Sequence, residues 1–458
     1  MISRWLARRS VIPGSARFSS SPLLLMRWWV SGSVGAAIRG WLSCRSLGRI
    51  FFVLLLLASV PVVTAGQPPS FAEAYLGALI EGTEDARHRL PAITRAAEAA
   101  AERLLAGGEL YMASTRYDFT SEGRARAGGL MLLRQYDSAV NLRVQDVVVV
   151  GWSGTSPAKD LALLKRVRAS GALTIGMGPT GDGALPQQVD LHLESALALS
   201  PVVRKPFGGE SYPVISLQNL AVQWAWTGEL AAALTRGGYM PVMYQSVLVP
   251  GARDRNSRYP GRRFHEKDKI PIVPPGQLGR SYLQALGNCF QQLKQYDSDS
   301  IAAVARACVK ARRSGHQIYT FLIQHFPYHQ LGAPGDPVFM EKIERSGGEI
   351  PDPEHVKKSL QRGDVFFFVG YFRRPDVAFR LAKDVGAVSV EVISGTDEPQ
   401  PDPVPDYVIR PHWPYQDALV SVPNYDIRIL PSSGILQAAV YWSVVGSIAV
   451  EEGAESSQ

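Results

Sequence analysis

The chain has 458 residues, enough at roughly 150 per domain for two to three globular domains, and 46 % apolar against 19 % charged residues excludes wholesale disorder. Its formal charge of +7 invites a nucleic-acid partner, but residues 1–66 hold eight arginines (Arg4, Arg8, Arg9, Arg17, Arg27, Arg39, Arg45, Arg49) and neither lysine nor acid. Without them 40 basic residues face 41 acidic ones, so the electrostatic case for nucleic acid disappears with the leader.

That leader is the first element in chain order. Residues 51–58 are apolar, 60–63 continue the run, and Val63-Thr64-Ala65 offers small residues to a signal peptidase, so residues 1–65 read as an export signal cleaved near Ala65. The run falls short of the ~20 residues of a spanning helix, which makes an uncleaved membrane anchor the alternative. Met26 is a second candidate start that keeps the signal intact. Beyond the leader only Cys289 and Cys308 remain. The faces Tyr282, Leu286, Cys289, Leu293 and Ile301, Val304, Ala305, Cys308 place both thiols inside helical contacts. Two buried free thiols are expected, with a disulfide as the alternative that export permits.

The mature chain then reads twice. In the first copy the pattern predicts helices over 71–81 and 86–105, a strand over 110–114 and a valine run over 146–151. That run lacks polar alternation and is expected to be central and buried on both faces. A helix over 157–169, strands over 172–177 and 189–193, and a long helix over 216–234 follow. The second copy gives strands over 317–323, 365–370, 388–393 and 407–409 and a helix over 434–448. Tyr75-Leu76 recurs as Tyr282-Leu283, while Asp146-Val147, Pro157 and Pro213 recur as Asp364-Val365, Pro375 and Pro431 at the constant offset of 218. Two copies of one fold follow from this. Strands alternating with helices mean α/β units with parallel sheets in tandem, whose ligands bind at the carboxyl ends of the strands. The domains are bounded at 71–249 and 280–450. Between them, 250–279 is a basic stretch rich in proline and glycine, read as a linker packed across both, or else as a phosphate-facing arm.

Three loops carry hydroxyls toward one sheet edge. Gly151-Trp152-Ser153-Gly154-Thr155-Ser156-Pro157 follows the valine strand; Ser156 is placed to cap the next helix and Pro157 suits its first position. Ser153, Gly154 and Thr155 then arch over a helix terminus, an arrangement that holds phosphate. Ser114, Thr115 and Ser121 follow the first strand, and Ser216 begins the closing helix.

This combination resembles the sugar isomerase (SIS) phosphosugar-binding domain, here as a tandem over about 71–450, and Arg126-Ala127-Gly128-Gly129-Leu130 is similar to a segment in a bacterial subgroup of SIS proteins. The resemblance implies two three-layer αβα domains, with the sugar phosphate held by Ser153, Thr155 and Ser156 and, less directly, by Ser121 and Ser216. It departs from the family in the first loop, Ala113-Ser114-Thr115-Arg116-Tyr117, which lacks a glycine-rich pattern. In the second copy Tyr371-Phe372-Arg373-Arg374-Pro375 has no hydroxyl but its tyrosine's. That copy is expected to be degenerate, or to meet phosphate with guanidinium groups.

An isomerase of this family moves a proton between sugar carbons with a carboxylate base and a histidine, and such a base must lie near the nest. His192 and Glu194 share one face of a strand end, and His329 and His325 follow the second copy's first strand. The candidate catalytic set is therefore Glu194, His192 and His329. Pro327 interrupts the histidine pair, so no metal is expected; with neither a Walker loop nor a dinucleotide fingerprint, no cofactor is expected either. The reading is an exported, self-associating binder of a phosphorylated or amino sugar. A sugar-phosphate isomerase or lyase, and an assembly protein that kept the fold, are the alternatives.

Overall fold

A computed structural model of the chain describes residues 69–181, 183–195, 199–265, 272–345, 350–394 and 402–455. Residues 1–65, read from the sequence as an export signal, lie outside the described residues. Helix α1, Phe71–His88, opens on a capping box in which Ser70 accepts from the Glu73 amide and the Glu73 carboxylate accepts from the Ser70 amide. It continues past the break expected near residue 81. The chain turns only at Arg89, because Pro91 fits the first turn of α2, Leu90–Leu105, and no position before it lacks an amide.

Strand β1, Leu110–Ser114, leads to the single turn α3, Tyr117–Glu122, and to β2, Leu133–Gln135. Then come β3, Val147–Gly151; α4, Pro157–Arg168; β4, Leu173–Gly178; β5, Leu191–Glu194; the short α5, Pro201–Arg204; and the closing α6, Tyr212–Arg236. The sheet is parallel throughout in the order β2-β1-β3-β4-β5, with Met112 beside Gln135 and Val149. As the valine run implied, β3 is central and buried on both faces. Val147 and Val149 face the main core, while Val148 and Val150 pack with Leu164 and Val167 of α4.

The linker carries α7, Ala252–Ser257, and bridges both halves: Arg255 pairs with Asp426 at 2.7 Å, and Arg263 donates to the Gly108 carbonyl at 2.6 Å. These two arginines are spent on the protein, against the phosphate-facing reading. The second half begins with α8, Gln277–Arg313, followed by β6, Ile318–Leu322; α9, Phe326–Gln330; β7, Glu341–Lys342; and α10, Pro353–Ser359. It continues through β8, Val365–Val369; α11, Asp376–Val385; β9, Val388–Val392; and β10, Tyr407–Ile409. A hairpin of β11, Ala418–Ser421, and β12, Arg428–Pro431, leads into α12, Ser433–Glu455. The second sheet, β10-β9-β8-β6-β7, is again parallel. Helices flank both sheets, so the chain forms two three-layer αβα units in tandem.

The repeat is preserved as hydrogen bonds. The Tyr75 hydroxyl donates to the Pro213 carbonyl and the Tyr282 hydroxyl to that of Pro431. Asp146 accepts from the Glu109 and Arg143 amides, and Asp364 from those of Gln317 and Gln361, all at 2.8–2.9 Å. Asn219 donates to the Trp152 carbonyl at 2.7 Å, as Gln437 does to Gly370 at 2.6 Å. Each aspartate ties the start of one central strand to the next, so its loss would leave two backbone amides without their partner. One hydrophobic core runs through both halves, with α1, α6, α8 and α12 contributing to it. Helix α12 has the length and hydropathy of a membrane span, but 89 % of its most apolar window is buried in this core. Cys289 and Cys308 are free and buried, which excludes the disulfide between them.

Candidate functional site

In the order β2-β1-β3-β4-β5 the crossovers change direction between β1 and β3, the place where such sheets leave a crevice. The loops after those strands and the start of α6 enclose a cleft lined by Ser114, Thr115, Arg116, Asp118, Phe119, Gly151, Trp152, Ser153, Tyr212, Ser216 and Asn219. Its enclosed part has room for about 20 Å³, close to one water, and exposed Thr115 stands at the mouth.

The back wall is Trp152, held by its indole NH on the Pro179 carbonyl at 2.9 Å and by Asn219 on its own carbonyl. Gly154 turns the chain at φ +78, a conformation cheap only for glycine, and brings the Ser153 and Thr155 hydroxyls to 2.9 Å from each other. Ser156 stands at the N-cap of α4, yet its side chain makes no capping bond, contrary to the role its position suggested. With φ −142 and ψ 57 it departs from the extended backbone typical of a capping residue. The first-turn amides of α4 are thus left without a side-chain cap, beside the two hydroxyls. Ser114 donates to the Arg116 carbonyl and Thr115 to the Asp160 carboxylate. Burial raises the pKa of Asp160, and the Thr115 bond opposes that rise.

Sequence reasoning missed the cleft's charged residues. Asp118, in the first turn of α3, is 3 % exposed, accepts from the Tyr212 hydroxyl, and lies 3.7 Å from the Arg116 guanidinium. Burial pushes its carboxyl up to about 6, with Arg116 opposing that rise. Arg116 lies over the Tyr212 ring at 4.5 Å. Ser216 accepts from Gln330 of α9 at 3.0 Å, so the second half braces one residue of the wall.

The other candidates lie elsewhere. Ser121 turns back onto the Asp118 carbonyl at 3.0 Å within its own helix turn and does not line the cleft. His192 and Glu194 do share a face of β5, but on the far side of Trp152. The His192 ring stacks on the indole at 5.3 Å and its Nε2 meets the Gly178 carbonyl, while Glu194 pairs with Arg89 at 3.7 Å. Both border a separate groove with His88 and Arg89. His329 does reach the first half, edge-on to Tyr117 at 5.1 Å, without lining the cleft; burial lowers its pKa.

In the second half the chain fills its own anion position. Asp417 accepts from the Ser432 and Ser433 amides and the Ser433 hydroxyl at the start of α12, which is the end that attracts negative charge. Burial raises its pKa against those bonds. Glu122, from the first half, is buried against Gly434, where a side chain would collide with its carboxylate. Burial works to raise the Glu122 pKa, but Arg126 at 2.8 Å and His325 at 3.6 Å outweigh it and hold the carboxyl below its ordinary range. Arg374, one of the guanidinium groups suggested for phosphate, is spent on the buried Glu391 at 2.5 Å, which Arg410 also meets at 2.7 Å. Among the described residues no group of three histidines, cysteines or carboxylates is disposed for a metal ion.

The fold and this cleft define a tandem α/β protein with a small polar site at the carboxyl edge of its first sheet. No protein-family model matches the chain, and no curated protein does. Among solved structures it is similar to the C-terminal domain of glucosamine-fructose-6-phosphate aminotransferase from Francisella tularensis, at 9 % identity over 81 % of this chain and 96 % of that one, with a TM-score of 0.43. It is also similar to glucosamine-6-phosphate deaminase from Thermotoga maritima, at 12 % identity over 83 % and 95 % of the two chains, with a TM-score of 0.36.

Proposed function

We propose that the first cleft binds a phosphorylated or amino sugar, the phosphate meeting Ser153, Gly154 and Thr155 with the uncapped amides of α4. The observation that carries this is that Ser153 lines one crevice with Arg116, Ser216 and Asn219 at the switch point of the sheet, while Thr155, just outside that lining, keeps its hydroxyl 2.9 Å from that of Ser153. Arg116 supplies the positive charge, and Asp118 and Tyr212 supply partners for ligand hydroxyls or an ammonium group. The enclosed volume admits little more than a water, so the phosphate and the body of the ligand lie at the mouth, beside exposed Thr115.

Turnover as a sugar-phosphate isomerase or lyase is the second reading, favoured by one observation: a carboxyl with a pKa of about 6 stands in the cleft itself, near the value general acid–base catalysis needs. Export through residues 1–65, with the membrane tether as its uncleaved form, and self-association complete the proposal; both rest on the sequence. An exported copy would meet wall-derived or nucleotide-linked sugars rather than cytoplasmic metabolites.

A thermal-shift screen against hexose, hexosamine and muramic-acid phosphates tests the binding, with Ser153→Ala beside the wild type. A ligand that binds only the native state raises Tm by mass action. The expected result is a rise for one phosphate that the substitution removes. No rise with any of them leaves the assembly role.

A further inference from the structure

The second sheet carries a cleft of its own. It lies at the carboxyl edge beside the loop that leaves β8, is bordered by Leu248 just before the linker and Pro351 before α10, and has a volume of about 500 Å³. That is within the ~300–1,000 Å³ of ordinary small-molecule pockets, whereas the first cleft encloses a single water's room.

Its walls have two characters. Phe372, Val377 and Tyr415 form an apolar and aromatic side, and Val377 and Tyr415 are among the large apolar side chains that the described residues leave exposed. Phe372 and Tyr415 meet edge-on at 5.6 Å, and the Tyr415 hydroxyl donates to the Leu248 carbonyl at 3.2 Å, so the aromatic wall is held in place. The other side is cationic. Arg373 is exposed and, among the described residues, has no ion-pair partner. Arg374 is only 10 % exposed; its Nε is spent on Glu391, but its buried Nη2 has no hydrogen-bond partner. With Arg410 the Arg374–Glu391 group holds one net positive charge, and Arg373 adds another. Asp376, in the first turn of α11, also lines the cleft and offsets one of them.

We propose that this cleft is a second ligand site, separate from the first and independent of its reading, for an anionic group carried on an aromatic or apolar body. Arg373 meets the anion, and Phe372 and Tyr415 pack against the body. At the positions offset by 218 from Ser153, Gly154 and Thr155 the chain has Tyr371, Phe372 and Arg373. The turn that carries hydroxyls in the first half thus carries aromatic and cationic groups in the second, as a site for an aromatic anion requires.

Calorimetric titration of the full chain with phenyl phosphate, and separately with phenol and with inorganic phosphate, tests this. Three proteins are compared: wild type, Arg373→Ala and Ser153→Ala. Both substitutions are at solvent-accessible loop positions and leave the core intact. The expected result is that phenyl phosphate binds wild type at least ten-fold more tightly than either fragment, that Arg373→Ala weakens it about ten-fold, and that Ser153→Ala leaves it unchanged. Absence of binding, binding indifferent to Arg373, or binding lost in Ser153→Ala would each overturn the proposal. Because the first cleft is tested with sugar phosphates and Ser153→Ala, either reading can fail while the other stands.

Discussion

Replacing Asp118 by asparagine tests whether a carboxyl truly sits in a dry wall of the first cleft. Its ordinary pKa is 3.8, and burial raises it to about 6. Between those values the folded chain keeps a proton that the unfolded chain has lost, so protonation stabilises the fold. That contribution is complete below pH 3.8 and is lost as the pH rises through about 6. At ~1.4 kcal/mol per unit, the gap makes the ionised carboxylate a burden of about 3 kcal/mol at pH 7.5. Asp118→Asn keeps an acceptor for the Tyr212 hydroxyl and removes the charge. It also loses the attraction of Arg116, a cost that falls only where the carboxylate would be ionised and is already included in the pKa of about 6. Urea unfolding of both proteins at constant ionic strength should show the stability of the variant relative to wild type rising by about 2 kcal/mol from pH 4.5 to 7.5, the rest of the change lying below pH 4.5. A difference flat to within ~0.5 kcal/mol would refute the reasoning, since a solvated carboxylate titrates alike in both states.

Gly434→Ala pushes a methyl group onto the Glu122 carboxylate, which Arg126 and His325 hold in place. A loss of about 1–3 kcal/mol is expected in urea unfolding, and a neutral result would mean Glu122 does not sit at the start of α12. Glu229 is fully buried and accepts from Thr94 and from the Gly276 and Gly279 amides that open α8. Glu229→Gln should therefore cost about 1–3 kcal/mol, measured the same way. Burial pushes the thiols of Cys289 and Cys308 up to about 12, so peptide mass spectrometry after iodoacetamide treatment at pH 8 should find both unmodified in the native protein and modified in urea. Fast native alkylation of either would contradict the packing described for α8.

The tandem architecture was legible because its signals are local. The unbroken valines of β3 announce a strand buried on both faces, and Asp146 and Pro213 repeat at one offset because each has the same bonding duty in both halves, while Pro157 and Pro375 both stand where a helix opens. Strands β2 and β7 were not legible: at three and two residues they are too short to show a period. Of the cleft, the nest was visible because Gly154 and Pro157 punctuate the chain around two hydroxyls. Asp118 and Tyr212 gave no such signal, since their meeting depends on α3 turning one carboxylate toward a helix far along the chain. His192 and Glu194 show a related gap, as period two tells which side chains share a face but not that the Trp152 indole stacks on His192.

The central claim is that Ser153, Gly154 and Thr155 hold the phosphate of a sugar, and a crystal structure of the protein with a hexosamine 6-phosphate tests it most directly. The expected result is phosphate density within hydrogen-bond distance of the Ser153 and Thr155 hydroxyls and the first-turn amides of α4, with the sugar ring toward Arg116 and α9. Phosphate seated elsewhere, or a cleft still closed by its own walls at saturating ligand, would contradict it.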